Sequence, residues 1–266
     1  MPIQSRHVPM TVAEYELLPF EPGWKCEYYD GQAHFTPRYH PVITLLPVGP
    51  RAFTAPCPLR PAETDDAEKL AEVYALAFGA TLEYCDYTDE GMRNAAERAL
   101  HEHFTGERGH PLSASRVAVD PNNNERLIGA ALLLTGRECA RLDLLFVHPD
   151  WQGRRLATTL VADAVNHLHL YGERRLMSRY HIGNDASRRW HQQFGFIEEP
   201  DLQRARLYLR AAQSELGRRA QLNELTATER ARLESERAQW QMQVEELERV
   251  AKTRGFEAVC PDYRWL

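Results

Sequence analysis

The chain lacks the features that would tie it to a membrane, a disulfide framework or a nucleic acid. No stretch approaches the roughly 20 consecutive apolar residues of a bilayer-spanning helix, and the opening MPIQSRHVPM has no apolar core of a secretory leader, so the expected location is cytoplasmic. Its 5 cysteines (Cys26, Cys57, Cys85, Cys139, Cys260) are far apart and form no C-x-x-C pair, which excludes a disulfide framework and a zinc knuckle and leaves free thiols. Positive charge is not in surplus: 32 Lys and Arg against 38 Asp and Glu give a net charge of -6. That balance argues against a nucleic-acid partner, because neutralising phosphates takes an excess of cations on one face. His101 and His103 in HEHF stand two apart, and on a helix that spacing points them to different sides, so no metal is expected. Two familiar phosphate loops are missing as well: there is no G-x-x-x-x-G-K-[ST], and no G-x-G-x-x-G followed by a distant acid.

What is present falls into three parts. Residues 1–54 open with TVAEYELLPF, where Thr11 and Glu14 have capping-box spacing. Aromatic-rich segments then flank Asp30-Gly31, a strong hairpin signal. Prolines at 41, 47, 50, 56, 58 and 61 follow, and they predict a strap with no helix and no long central strand. Residues 55–210 alternate strand and helix signals, as an α/β domain does. A strand at CPLRPAE leads to a helix capped by Thr64, and DEGMRNAAERALHEHFTGE reads as a second helix. Three apolar runs parted by DPNNN and TGRE then make an antiparallel meander. A helix over about 153–170, a strand RRLMSRYHI, a helix NDASRRWHQQF capped by Asn184, and a last strand pair at FGFIEE and RARLYLR complete the domain. Residues 211–266 predict two helices, about 211–224 and 227–253, the second with a seam of Leu233, Trp240, Val244, Leu247 and Ala251. That seam needs a partner surface, on the same chain or across a homodimer. The aromatic end GFEAVCPDYRWL is expected to dock.

The stretch LLFVHPDWQGRRLATTL carries the chemistry. A strand that ends in a short turn opening onto a helix start presents main-chain N–H groups and the positive end of a helix dipole to one point, and this favours an anion. A phosphate-bearing ligand is therefore expected on VHPDWQGRRLATTL.

Residues 59–210 resemble the GNAT superfamily of acyl-CoA-dependent N-acetyltransferases. Gln152, Gly153, Leu156 and Ala157 match the pyrophosphate loop of that family, and Asn184, Ser187 and WHQQFGF match a second motif about thirty residues on. Arg155 departs from the pattern, since glycine is usual there; its side chain either crowds the loop or lends a cation to a phosphate. The resemblance implies a mixed, mostly antiparallel α+β sheet flanked by helices, with acetyl-CoA as co-substrate. It also implies an opening between the fourth and fifth strands where pantetheine lies along Leu145, Phe146 and Val147, with the pyrophosphate on the amides of Gln152, Gly153, Arg154, Arg155, Leu156 and Ala157 and with Asn184 and Ser187 near the ligand. An amine, on a small molecule or a protein, would attack the thioester directly, which requires loss of an ammonium proton and protonation of the leaving thiolate. Asp143 is the candidate base, or Glu138 acting through water; His191, at a place where the family often has Tyr, is the candidate acid, with Tyr180 and His181 in reserve. Each has a plainer alternative: a surface carboxylate, a packed histidine, a helix cap at Asn184.

Two further readings stay open. A GNAT fold that binds acyl-CoA or a protein without catalysis would fit the Arg155 departure. Thr11, Glu14, Tyr15, Glu27, Asp30, Gly31, Pro37 and His40 resemble the opening of the Uma-type, restriction-endonuclease-like family, although its metal-binding Pro-Asp and Glu-x-Lys strands have no counterpart in 41–210. The acids Glu83, Asp86, Asp89 and Glu90 would suit a cationic acceptor, and solubility explains them equally well.

Overall fold

The computed structural model describes residues 6–260; of the aromatic end expected to dock, 255–260 are described, and Val259 is buried with Leu202, Ala205, Val244 and Leu247, while the rest lies outside the described residues. The chain divides into two compact units. Among described residues, the first comprises 44–179 and 189–197, and the second 6–43, 180–188 and 198–260.

In the first unit, α2 (Ala67–Phe78) and α3 (Asp89–Thr105) precede a meander of β6 (Arg116–Asp120), β7 (Asn123–Thr135) and β8 (Ala140–Val147). Helix α4 (Leu156–Leu170), strand β9 (Arg175–His181) and helix α5 (Asp185–Phe194) follow. With β4 (Pro41–Pro47), β5 (Leu59–Pro61) and β10 (Ile197–Glu198) they give a seven-stranded sheet of order β10-β4-β9-β8-β7-β6-β5. The pairs β5–β6, β6–β7 and β7–β8 are antiparallel and β8–β9 is parallel, the mostly antiparallel mixed sheet that was expected. Strands β7 and β8 alternate their side chains between two apolar layers. Ile128, Ala131, Leu133 and Leu142 pack with Leu160, Val161 and Val165 of α4. Leu132, Leu144 and Phe146 pack with Leu70 and Tyr74 of α2 and with Ala96 and Leu100 of α3.

The proline-rich strap departs from expectation. It supplies β4, which lies between β9 and β10 rather than at an edge. Pro41 and Pro47 bound the strand, where a missing N–H costs no ladder bond, and VITLL between them keeps all its donors. Thr44 Oγ1 donates to Ser178 O at 3.1 Å, and Val48 N to Arg174 O at 2.9 Å. Helix α4 starts at Leu156, three residues later than expected, because Gly153 and Arg155 have φ of 74° and 62°.

The second unit contains the predicted N-terminal elements: α1 (Val12–Glu16), whose Thr11–Glu14 capping box forms, and a hairpin of β2 (Trp24–Tyr29) and β3 (Gln32–Pro37) turned at Asp30-Gly31. Strand β1 (Arg6–Pro9) pairs with β3 on its other side. RARLYLR is not a strand. It lies in α6 (Leu202–Gln221), where Asp201 caps by accepting from Arg204 N at 3.0 Å, and Leu202, Ala205, Tyr208 and Ala212 form one buried helical stripe. The alternation of Arg with apolar residues has period two only over this short window. Helix α7 (Ala227–Arg254) starts at a Thr226–Glu229 capping box. Its seam finds its partner on the same chain: Val244 and Leu247 pack with Leu202 and Ala205, and Trp240 stacks on Tyr208 at 4.7 Å between centroids.

Candidate active site

Strand β8 is fully laddered on one side only. It pairs with β7 from Ala140 to Val147, but its parallel ladder with β9 holds just two pairs, Ala140–Leu176 and Arg141–Met177. Beyond Arg141 the two strands part company, and among the described residues the β8 main chain from Leu142 to Val147 has no ladder partner on that side. Leu145, Phe146 and Val147 lie on this stretch. Leu145 and Val147 pack toward α4, and Phe146 toward α2. Gly129 keeps β7 close to that end of β8, for a Cβ there would meet Phe146 O at 2.9 Å.

The strand runs directly into the loop expected to hold a phosphate. After a 3-10 turn at Pro149–Trp151, Gln152 Nε2 donates back to Val147 O at 3.2 Å and closes the loop. Gly153 and Arg155 both take left-handed backbone, which turns the chain sharply into α4. The α4 ladder begins at Thr159 N, which donates to Arg155 O at 3.0 Å, so the amides of Leu156, Ala157 and Thr158 precede the first helical bond. Leu156 is buried and pins the loop to the core, whereas Gln152, Gly153, Arg154 and Arg155 are exposed. The Arg154 guanidinium lies 4.9 Å over the Trp151 ring. Neither Arg154 nor Arg155 forms an ion pair among the described residues. Trp190 Nε1 of α5 donates to Thr158 Oγ1 at 3.2 Å and braces the first turn.

At the other end of the open edge, Leu132 pairs with Leu144 and Leu133 with Leu142, so Asp143 is the extra residue of a β-bulge. Its carboxylate, 1% exposed, faces α3. His103 Nδ1 donates to Oδ2 at 3.2 Å, and Arg108 and Arg141 approach Oδ1 at 3.0 and 3.5 Å. Burial alone would push the Asp143 carboxyl up, but the His103 hydrogen bond and the two guanidinium charges outweigh it and hold the group below the ordinary carboxylate range. A carboxylate so placed is a weak direct acceptor for a substrate proton. His103 Nε2 is buried and has no hydrogen-bond partner among the described residues. His101 points away into solvent, as the spacing of two requires. Among the described residues no group of three His, Cys, Asp or Glu could hold a metal.

His191 is buried in α5, hydrogen-bonded to Ser178 Oγ at 2.9 Å and edge-on to Trp190 and Phe196. Tyr180, Asn184 and Ser187 belong to the second unit. The Tyr180 hydroxyl donates to Glu198 at 2.6 Å, and burial and that carboxylate both raise its pKa. Asn184 Oδ1 accepts from Ser187 N at 3.0 Å, the cap geometry.

Several neighbours of the bulge escaped sequence reasoning. Tyr74 and Tyr84 share a 2.5 Å contact between hydroxyls beside Phe78 and Phe146, and burial raises both tyrosines. Arg108 and Arg141 are thirty-three positions apart and meet only in the fold, where Arg141 Nη2 donates to Arg108 O at 2.7 Å. The one signal available was His103, whose place on the apolar stripe of α3 marks it as buried.

Residues 72–196 match the model of the acetyltransferase (GNAT) family. No curated protein matches the chain. Among solved structures, a GCN5-related N-acetyltransferase from Sphaerobacter thermophilus is 16% identical with a TM-score of 0.44, over 60% of this chain and 48% of that one. A PaiA N-acetyltransferase from Thermoplasma acidophilum, in complex with coenzyme A, is 18% identical with a TM-score of 0.33, over 43% and 73%. An aminoglycoside N-acetyltransferase, also in complex with CoA, is 19% identical with a TM-score of 0.38, over 56% and 92%. The match spans about half the length of the first of these structures. Residues 72–196 are thus similar to the acetyltransferase (GNAT) family, and they include the antiparallel strands β6, β7 and β8.

Proposed function

We propose that the chain transfers an acetyl group from acetyl-CoA to an amine by direct attack on the thioester. The observation that carries this reading is the continuity of the unladdered β8 edge with a loop whose following amides are free of helical bonds. The edge offers main-chain groups to a pantetheine amide, and the loop offers N–H donors, the α4 dipole and the Arg154 and Arg155 charges to a diphosphate. Between them the thioester would lie near the Asp143 bulge.

In this proposal Asp143 is a positioning residue: it orients His103, and His103 Nε2 takes the ammonium proton. His191, bonded to Ser178, returns a proton to the leaving thiolate. Tyr180 is a weaker candidate for that step because its hydrogen is already given to Glu198. Asn184 and Ser187 serve the start of α5. The acceptor is an amine of a small molecule or a protein, and the acids Glu83, Asp86, Asp89 and Glu90 near the start of α3 suit a cationic one.

The test is thiol release from acetyl-CoA with a panel of polyamines, aminoglycosides, amino acids and lysine peptides. Acceleration by at least one amine supports transfer. Tight binding of acetyl-CoA with no thiol release for any amine would instead favour a non-catalytic acyl-CoA-binding or interaction module.

A further inference from the structure

Within the second unit lies a cavity of about 580 Å³, in the size range of small-ligand sites. Its walls come from the exit of α1, the β2–β3 hairpin and α6, with the rings of Tyr15, Phe20, Trp24 and Phe35 supplying the apolar surface. Three guanidinium groups border it, those of Arg6, Arg38 and Arg210. Arg38 follows β3 directly; its N donates to Gly23 O at 2.8 Å and its Nη2 to Trp24 O at 3.3 Å, while Nε is buried without a partner. Arg210 lies 4.6 Å over the Phe20 ring, and Arg6 lies 4.8 Å over Phe35.

Four cations (Arg6, Lys25, Arg38, Arg210) and three acids (Glu16, Glu21, Glu27) line the cavity, but its guanidiniums are not paired with those acids. Among the described residues, no carboxylate lies within ion-pair distance of Arg6, Arg38 or Arg210. The nearby Glu27 is already matched by Lys25 at 2.8 Å. Burial and the Arg210 charge both work against the Arg38 cation. Two mutually repelling guanidiniums held beside aromatic walls cost electrostatic energy that a bound anion would remove. Ring stacking explains where Arg6 and Arg210 lie, but not why a half-buried Arg38 keeps an orphaned donor.

We propose that this cavity binds a small organic anion bearing a planar ring, with its phosphate or carboxylate held by Arg38 and Arg210 and its ring among the aromatic walls. The inference is independent of acetyl transfer. It is tested by calorimetric titration of the full chain with phenyl phosphate and with benzoate, in excess coenzyme A so that any nucleotide-type site elsewhere is occupied. Whichever of the two binds more tightly identifies the anionic group. Inorganic phosphate and phenol, which carry the charge or the ring alone, are each expected to bind at least about tenfold more weakly, and so is the better probe to Arg38→Gln and Arg210→Gln, as loss of a charged hydrogen bond implies. Arg210 is exposed, so its variant is expected to keep the parent melting temperature and to report binding alone. Absence of heat from both probes at several millimolar, or unchanged binding to Arg210→Gln, would overturn the assignment.

Discussion

Replacing Arg155 by glycine separates the backbone of the anion loop from its charge. Arg155 sits at φ 62° and ψ 16°, the left-handed region, at the N-cap of α4. For a residue with a Cβ that conformation costs about 1–2 kcal/mol, whereas glycine adds an unfolded-state entropy penalty of about 0.5–1 kcal/mol. The difference leaves Arg155→Gly more stable by about 0.5–1 kcal/mol, a rise in melting temperature of roughly 1–4 °C for a domain of this size. The side chain is exposed, so its contribution to a bound diphosphate is that of a screened charge, about 0.3–1 kcal/mol, or roughly two- to fivefold in affinity. Scanning calorimetry and acetyl-CoA titration of parent and variant read the two effects separately. A lower melting temperature would refute the strain argument. An affinity gain of tenfold would show that Arg155 occupies the loop rather than serving it.

Other expectations follow from the same geometry. Since the folded Asp143 pKa lies below its ordinary value of 3.8, its contribution to stability is complete above that value and is lost as pH falls through the lower folded one. Urea unfolding between about pH 6 and 2.5 should therefore show a steeper acid loss in the parent than in Asp143→Asn, which itself is destabilised by about 3–5 kcal/mol through the cations left unmatched. Parallel acid limbs would contradict the ion cluster. Leu132→Ala, at a fully buried site, should cost about 3–5 kcal/mol in the same assay, and a cost below 1 kcal/mol would mean the two layers of the first unit are not packed as described. Thr226→Ala removes a hydroxyl that accepts from Glu229 N at 3.2 Å and should cost about 1 kcal/mol, read as a shifted urea midpoint; no shift would show that the cap contributes nothing. If transfer is detected, His191→Gln should lower kcat roughly a hundredfold with little change in KM and flatten one limb of the pH profile, the behaviour of a lost general acid. An unchanged profile would return His191 to a packing role.

Local signals were legible where local physics decides. The capping boxes at Thr11 and Thr226, the Asp30-Gly31 turn and the Asn184 cap depend on contacts within three or four residues, and all are present. The meander and the loop at Gln152–Ala157 were legible because turn residues bracket unbroken apolar runs. RARLYLR was misread because an amphipathic helix and an alternating strand share the same apolar spacing over a short window, and only the Asp201 cap and the stripe through Ala212 distinguish them. The strap was misread because the prolines were weighed by number rather than position. The bulge cluster was hidden for another reason: His103, Arg108, Arg141 and Asp143 come from different elements, and their common meeting point follows from the two-for-one register of β7 and β8, which no sequence period encodes.

The central claim is that the amides opening α4 grip a diphosphate, and it is tested most directly by titrating acetyl-CoA into the parent and Ala157→Glu. A carboxylate in the first turn of a helix favours the helix itself by about 0.3–1 kcal/mol. Ala157 is, however, half-buried against the core, so the melting temperature of the variant is read beside its binding to separate a lost fold from the negative charge set against the proposed phosphates. Saturable binding to the parent, weakened at least about tenfold in the variant, is the result expected of such a charge opposition. Equal binding to both proteins, or no heat from either, would contradict it.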